Sequence, residues 1–178
     1  MINKISTNFY KRKFKDVGDN IIIRYACKID NGNKIVIGNN VFIGEHVWLN
    51  AGNINDKNIS LEIKDGSYIS RFCHINAFKK VIIENDVLLG EGVYIGDTDH
   101  ATKNKNLPII KQGFETKGEV IIGTGSHICK GAVISAGVKI GKNVVVGPNS
   151  FVTQHEIPDY SMVIGNPAVL IDDFNSNE

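Results

Sequence analysis

The chain is short of several things, and each shortage narrows what it can be. It has no surplus of one charge, since 20 basic residues face 19 acidic ones for a formal net charge of +1. No whole-chain field would therefore draw in a nucleic acid or an anionic membrane. The one local basic run, Lys11-Arg12-Lys13 with Lys15, is followed by Asp16 and Asp19 and fits a solvated N-terminal arm. The first sixteen residues hold no long apolar stretch. Neither a secretory leader nor a membrane span is expected, which makes the cytoplasm the expected location. Cys27, Cys73 and Cys129 are an odd number without metal-type spacing. Cys73 and Cys129 fall at positions where small buried residues sit, which predicts reduced core thiols. No linker or low-complexity segment divides the chain, and 178 residues suit one domain, 1–178.

The common periodicities are missing too. An amphipathic helix repeats its apolar residues every three to four positions and a half-buried strand every second. This chain instead beats in sixes, with an aliphatic residue and usually a small one after it: Ile122-Gly123, Ile128-Cys129, Ile134-Ser135, Ile140-Gly141 and Val146-Gly147. Such hexads read as a parallel β-helix, in which three short strands and three corners close a triangular coil of about 18 residues. The aliphatic residue points inward. The small residue relieves crowding at the corner, a need that the 18 glycines match.

Earlier segments keep the beat: Ile37, Ile43 and Leu49; Ile63, Ile69 and Ile75; Ile83, Leu89 and Ile95. The steps from Leu49 to Ile69 and from Ile69 to Leu89 are each two residues longer than three hexads. Small corner bulges are therefore expected near Asp56 to Ser60 and Phe78 to Val81. The expected fold class is all-β, a parallel β-helix with coils over 18–99 and 120–171. The segment 1–17 and the tail 172–178 are expected at its ends, because an uncapped end is a sheet edge open to further pairing.

Between Ile95 and Ile122 the phase breaks. The stretch 100–119 is polar and lysine-bearing, holds Pro108, and lacks the beat, so it reads as a long loop projecting from one corner. Loops of that length are uncommon and frequently functional. His100 closes the run Ile95-Gly96-Asp97-Thr98-Asp99-His100 at the loop's mouth, facing outward. An imidazole that titrates near neutrality suits removal of a proton from an attacking hydroxyl or amine. Asp97, Asp99 or a backbone carbonyl could orient it.

Four further stretches carry a resemblance: "DTDH" from Asp97 to His100, "VVGPNSFVT" from Val145 to Thr153, "IPDYSMV" from Ile157 to Val163, and "GNPA" from Gly165 to Ala168. With these and the hexads, the chain resembles the hexapeptide-repeat acetyltransferases over roughly Ile37 to Ile171, in their sugar and polysaccharide O-acetyltransferase branch. The resemblance implies a left-handed coil and a homotrimer with active sites between subunits. It implies acetyl-CoA as donor, no resident metal, and His100 as the general base for direct attack of an acceptor hydroxyl on the thioester. The backbone amide of Lys130 takes the place of the oxyanion donor. Pro148, Thr153 and Gln154 match positions lining the adenine and phosphate end of coenzyme A, and Pro167 of "GNPA" helps to close that end.

The chain also departs from the family. His127 stands where galactoside and maltose acetyltransferases usually have Trp, and Gln154 where Lys is common. Val169 and Asp172 replace two arginines, leaving Lys139 or Lys142 to meet the 3′-phosphate. The family's sugar-contacting Asn falls on Phe72, and its acidic partner at Ala77 or Phe78. The expected acceptor is therefore a saccharide of a cell-surface polysaccharide or its precursor, with His74, Asn76 and Glu91 as candidate contacts. Three rival readings share the coil: an N-acetyltransferase of a nucleotide-linked amino sugar; a zinc enzyme of the γ-carbonic-anhydrase kind drawing on His74, His100 and His127; and a non-catalytic scaffold.

Overall fold

Every hexad becomes a strand of two to four residues, and strands three hexads apart pair in parallel. The computed structural model describes residues 2–52, 58 and 60–171. Its strands stack into three parallel faces of seven, seven and six strands, with an eighth strand joining the second face antiparallel. The first face runs from Asp16–Val17 to Glu156–Ile157 and the second from Ile22–Ile23 to Met162–Gly165. The third contains Lys28–Asp30, Trp48–Ala51, His74–Ala77, Tyr94–Gly96, Val133–Ile134 and Phe151–Val152. The fold is a β-helix of triangular section.

Inward positions form continuous aliphatic columns. Ile29, Leu49, Ile75, Ile95, Ile134 and Val152 stand in register on the third face. From Leu49 on, all are fully buried. Burial of each such side chain contributes roughly 1.5–3 kcal/mol. Corners repeat a left-handed backbone residue, supplied between the first and second faces by Asn20, Asn40, Gly66, Asp86, Gly125 and Asn143. Asn, Asp and Gly are the types that reach this region at least cost.

The register corrects one expectation. Asn50 pairs with Asn76, a step of 26 residues, so the excess between those coils is eight residues beyond three hexads. The expected bulge near Asp56 to Ser60 lies mostly outside the described residues. The next step, from Arg71 to Glu91, is 20 residues, and its two-residue excess is a bend at Phe78 and Lys79.

A helix, Ile2–Lys11, lies on the first coil. Thr7 Oγ1 accepts from the Ile23 amide at 3.0 Å, Tyr10 Oη donates to the Cys27 carbonyl at 3.0 Å, and Tyr10 and Phe14 are buried beneath the segment. At the other end, Met162–Gly165 pairs antiparallel with Ala168–Ile171. The expectation for the tail 172–178 lies outside the described residues. The three cysteines are free thiols. Burial pushes Cys27 and Cys73 up to about 11. Cys129 departs from expectation: it is half-buried in the corner column of Gly90 and Gly147 and not in the core.

Candidate functional site

The chain leaves the coil after Gly96, at the edge between the third and first faces, and returns at Val120. The excursion is more ordered than a plain loop. Asp99–His100 pairs antiparallel with Phe114–Glu115, setting His100 opposite Phe114. Gln112 ties the tip together, accepting from the Asn104 amide at 2.9 Å and donating to the Asn104 and Leu107 carbonyls at 2.8 Å. Lys103 reaches Glu115 at 3.2 Å across the ribbon. Between this ribbon and the third face lies a cleft of about 440 Å³, lined by Tyr94, Gly96, His100, Ile109, Ser135 and Phe151 among others.

His100 is exposed, and its ring packs on Phe114 at 4.8 Å between centroids. Phe114 in turn packs on Phe78 at 5.3 Å. Phe78, at a position where the family resemblance places an acidic acceptor contact, here helps to support the histidine ribbon.

The expectation that Asp97 orients His100 is corrected. Asp97 is fully buried, and its carboxylate accepts from the amides of Phe78 at 2.9 Å, Lys79 at 2.7 Å and Lys80 at 2.6 Å. It also accepts from the Thr98 hydroxyl at 2.8 Å. Three amides of the two-residue bulge share this one carboxylate, which closes the bend. The Thr116 hydroxyl donates to the Asp97 carbonyl and anchors the returning arm of the ribbon to the same point. Asp99 Oδ1 accepts from the His100 backbone amide at 2.9 Å. Among the described residues, neither carboxylate is hydrogen-bonded to the His100 ring.

Lys130 and Pro148 stand on a different edge, between the second and third faces, where the Asn149 amide donates to the Lys130 carbonyl at 2.9 Å. Glu91 is on that edge too, in ion pairs with Arg71 at 2.8 Å and Lys130 at 3.4 Å. The hydrogen bond from Arg71, followed by its charge and then by Lys130, holds the Glu91 carboxyl below the usual range. Lys130 is absent from the lining of the His100 cleft. Thr153 and Gln154 follow Phe151–Val152 and so lie on the same edge as His100. Pro167 is in the turn between the last two strands. Within one chain, then, the coenzyme candidates are split between two edges with the third face between them.

His74 and Asn76 sit on the third face, one coil before Tyr94 and Gly96. His74 stacks on Trp48 at 4.1 Å and 3°, and Trp48 Nε1 donates to Asp30 at 2.8 Å. Burial, and then the Lys28 charge, lower the His74 pKa below its ordinary value and favour the neutral ring. Its Nε2 is buried without a hydrogen-bond partner among the described residues. Asn76 accepts from Asn50 at 2.7 Å. His127 is on the second face, so the three histidines of the zinc reading stand apart. Among the described residues, no group of three or more His, Cys, Asp or Glu side chains is placed to hold a metal ion.

The sequence reading passed over Tyr94. Its signal was available: it precedes Gly96 by two positions in the coil that ends at His100, and Gly96 continues a register of Asn50 and Asn76.

A family model for the bacterial transferase hexapeptide (six repeats) matches residues 119–154. A Staphylococcus aureus (strain COL) protein provisionally named an acetyltransferase is 34% identical over 71 residues, 40% of this chain and 35% of that protein. The dTDP-3-amino-3,6-dideoxy-alpha-D-galactopyranose 3-N-acetyltransferase of Aneurinibacillus thermoaerophilus is 44% identical over 54 residues, 30% of this chain and 28% of that enzyme. The chain thus spans about a third of the length of the curated relatives it matches. Among solved structures, AntD, an N-acyltransferase from Bacillus cereus in complex with dTDP and 3-hydroxybutyryl-CoA, superposes with a TM-score of 0.77 at 22% identity. That match covers 93% of this chain and 86% of AntD. Residues 119–154 therefore carry the bacterial-transferase hexapeptide repeat, and the chain has the β-helical fold of the hexapeptide-repeat acyltransferases.

Proposed function

We propose that the protein transfers an acetyl group from acetyl-CoA to a saccharide hydroxyl, with His100 as general base. The observation that carries this reading is the place of His100. It is an exposed imidazole at the mouth of a cleft, on an ordered ribbon, where the six-residue beat is broken.

In this reading the His100 imidazole takes the proton of the acceptor hydroxyl as its oxygen attacks the thioester carbonyl. The C–O bond forms, the oxyanion is met by the Lys130 amide, and collapse breaks the C–S bond. The imidazolium returns its proton to the departing thiolate. Because Lys130 and His100 lie on different edges of one coil, the amide comes from a neighbouring copy. In this reading the active sites lie at the seams of a homotrimer, along which coenzyme A runs past Pro148, Thr153, Gln154 and Pro167. The acceptor belongs to polysaccharide biosynthesis, and the enzyme works in the cytoplasm.

A second reading is favoured by the two relatives whose names carry an amine: the Aneurinibacillus 3-N-acetyltransferase and AntD. In it the acceptor is the amine of a nucleotide-linked amino sugar and His100 plays the same part.

One assay separates the two: release of the CoA thiol from acetyl-CoA with p-nitrophenyl and methyl glycosides, glycan fragments and dTDP-linked amino sugars. Release with a hydroxyl acceptor, lowered about 10²–10⁴-fold in His100→Ala, supports O-acetylation. Release with amines alone moves the assignment to N-acetylation. An undiminished rate in His100→Ala removes the base from both.

A further inference from the structure

We infer that Tyr94 is an acceptor-binding residue of the His100 cleft, its hydroxyl set in place by the missing side chain at Gly96. The inference rests on the acetyl-transfer reading above and names a contact on the acceptor side of that site.

The outer surface of the third face carries two columns side by side. One is Lys28, Trp48, His74, Tyr94, Val133 and Phe151, each opposite the next. The other is Asp30, Asn50, Asn76 and Gly96. The first column is a rigid stack. Lys28 Nζ sits 3.8 Å from the Trp48 ring centre, Trp48 and His74 are parallel at 4.1 Å, and His74 meets Tyr94 edge to face at 5.3 Å and 82°. Edge-to-face and offset contacts of this kind fix ring orientation.

The second column loses its side chain at Gly96, and the phenol of Tyr94 lies across the gap. A Cβ at residue 96 would stand 2.6 Å from Tyr94 Oη, 2.9 Å from Cε1 and 3.0 Å from Cζ. Asp30 presents a carboxylate from this column and Asn50 and Asn76 present amides, whereas at the level of the cleft the column presents a phenol oxygen. Tyr94 Oη makes no hydrogen bond among the described residues, and the ring lines the same cleft as His100 and Ser135. A hydroxyl both donates and accepts, and saccharide hydroxyls and amines offer both complements. The group that holds Tyr94 from behind is His74. It positions the phenol while lying outside the cleft lining.

The test compares steady-state kinetics of Tyr94→Phe, Gly96→Ala and the double variant with wild type and His100→Ala, over the same acceptor panel. Tyr94→Phe should raise the acceptor KM about tenfold, the loss of one hydrogen bond, with the acetyl-CoA KM and the unfolding midpoint unchanged. Gly96→Ala should do the same by pushing the phenol end aside. The double variant should be no worse than either single change, because both remove one interaction. An unchanged acceptor KM in Tyr94→Phe, with His100→Ala still crippled, would overturn this inference and leave the parent reading standing. A KM rise for acetyl-CoA together with a lowered midpoint would show a structural role and also overturn it. Wild-type rates in His100→Ala, or a wild type silent with every acceptor, count against the parent reading itself.

Discussion

The two edges that bound the third face differ in regularity and carry opposite chemistry. On the edge between the second and third faces, charges alternate along the stack and satisfy one another: Arg71 holds Glu91 at 2.8 Å, and Lys130 holds it at 3.4 Å. On the edge between the third and first faces the stack is interrupted. A buried carboxylate, Asp97, is consumed in closing the bend of the preceding coil at Phe78 to Lys80, and the histidine four residues from Gly96 is left exposed over a cleft. In a solenoid each turn contacts only its neighbours. Here the turn that does not match carries the exposed histidine, and a buried carboxylate holds the coil beside it.

That difference can be broken at several points. Asp97→Ala should have the largest effect on stability. It removes the buried acceptor shared by three bend amides, costing about 2–4 kcal/mol, and urea denaturation would measure it. Isosteric Asp97→Asn should recover only part of the loss, since one acceptor oxygen cannot serve three amides.

The intact edge should respond in the opposite sense to relief of its backbone. Ala26 holds φ at 59°, His46 at 58° and Phe72 at 62°, where later coils place Gly92, Gly131 and Asn149. Ala26→Gly should therefore stabilise the chain by about 1 kcal/mol, less the entropy that glycine returns to the unfolded state. A lowered denaturation midpoint would contradict the assignment of strain there.

Glu91→Gln should leave the unfolding midpoint unchanged and only weaken its dependence on salt, because exposed pairs are screened. A large loss would mean that this edge, too, is held by charge.

The smallest effect is a slope with pH. Burial favours neutral His74, so the folded state resists a proton that the unfolded chain accepts. Stability is then complete above the ordinary histidine pKa of about 6.5. It declines as pH falls through that value, and levels once His74 itself protonates. Replacing His74 by Gln should flatten that decline in melts between about pH 7 and pH 5, a window set by the same reference value.

The coil was legible because burial imposes its own period: at least one inward aliphatic residue per coil strand, visible in the hexads between Ile37 and Val146. The loop and His100 were legible as the place where that period stops. Asp97 was misread because its part depends on amides 17 to 19 residues away, and nothing local distinguishes a cap from a catalytic carboxylate. The eight-residue excess before Ser60 was misjudged because any aliphatic residue can stand in for any other when hexads are counted, and only register shows that Leu49 pairs with Ile75. Tyr94 was missed for a related reason. Its distinction lies in the blank beside it at Gly96, which the prevalence of glycine in corners disguises.

The central claim is that the broken edge is the chemical one. The most direct measurement is single-turnover acetyl transfer by wild type and His100→Ala at saturating acetyl-CoA, with the melting midpoint followed in parallel. The account predicts a rate lowered about 10²–10⁴-fold at an unchanged midpoint. A rate within twofold of wild type would contradict it and return the ribbon to a structural role.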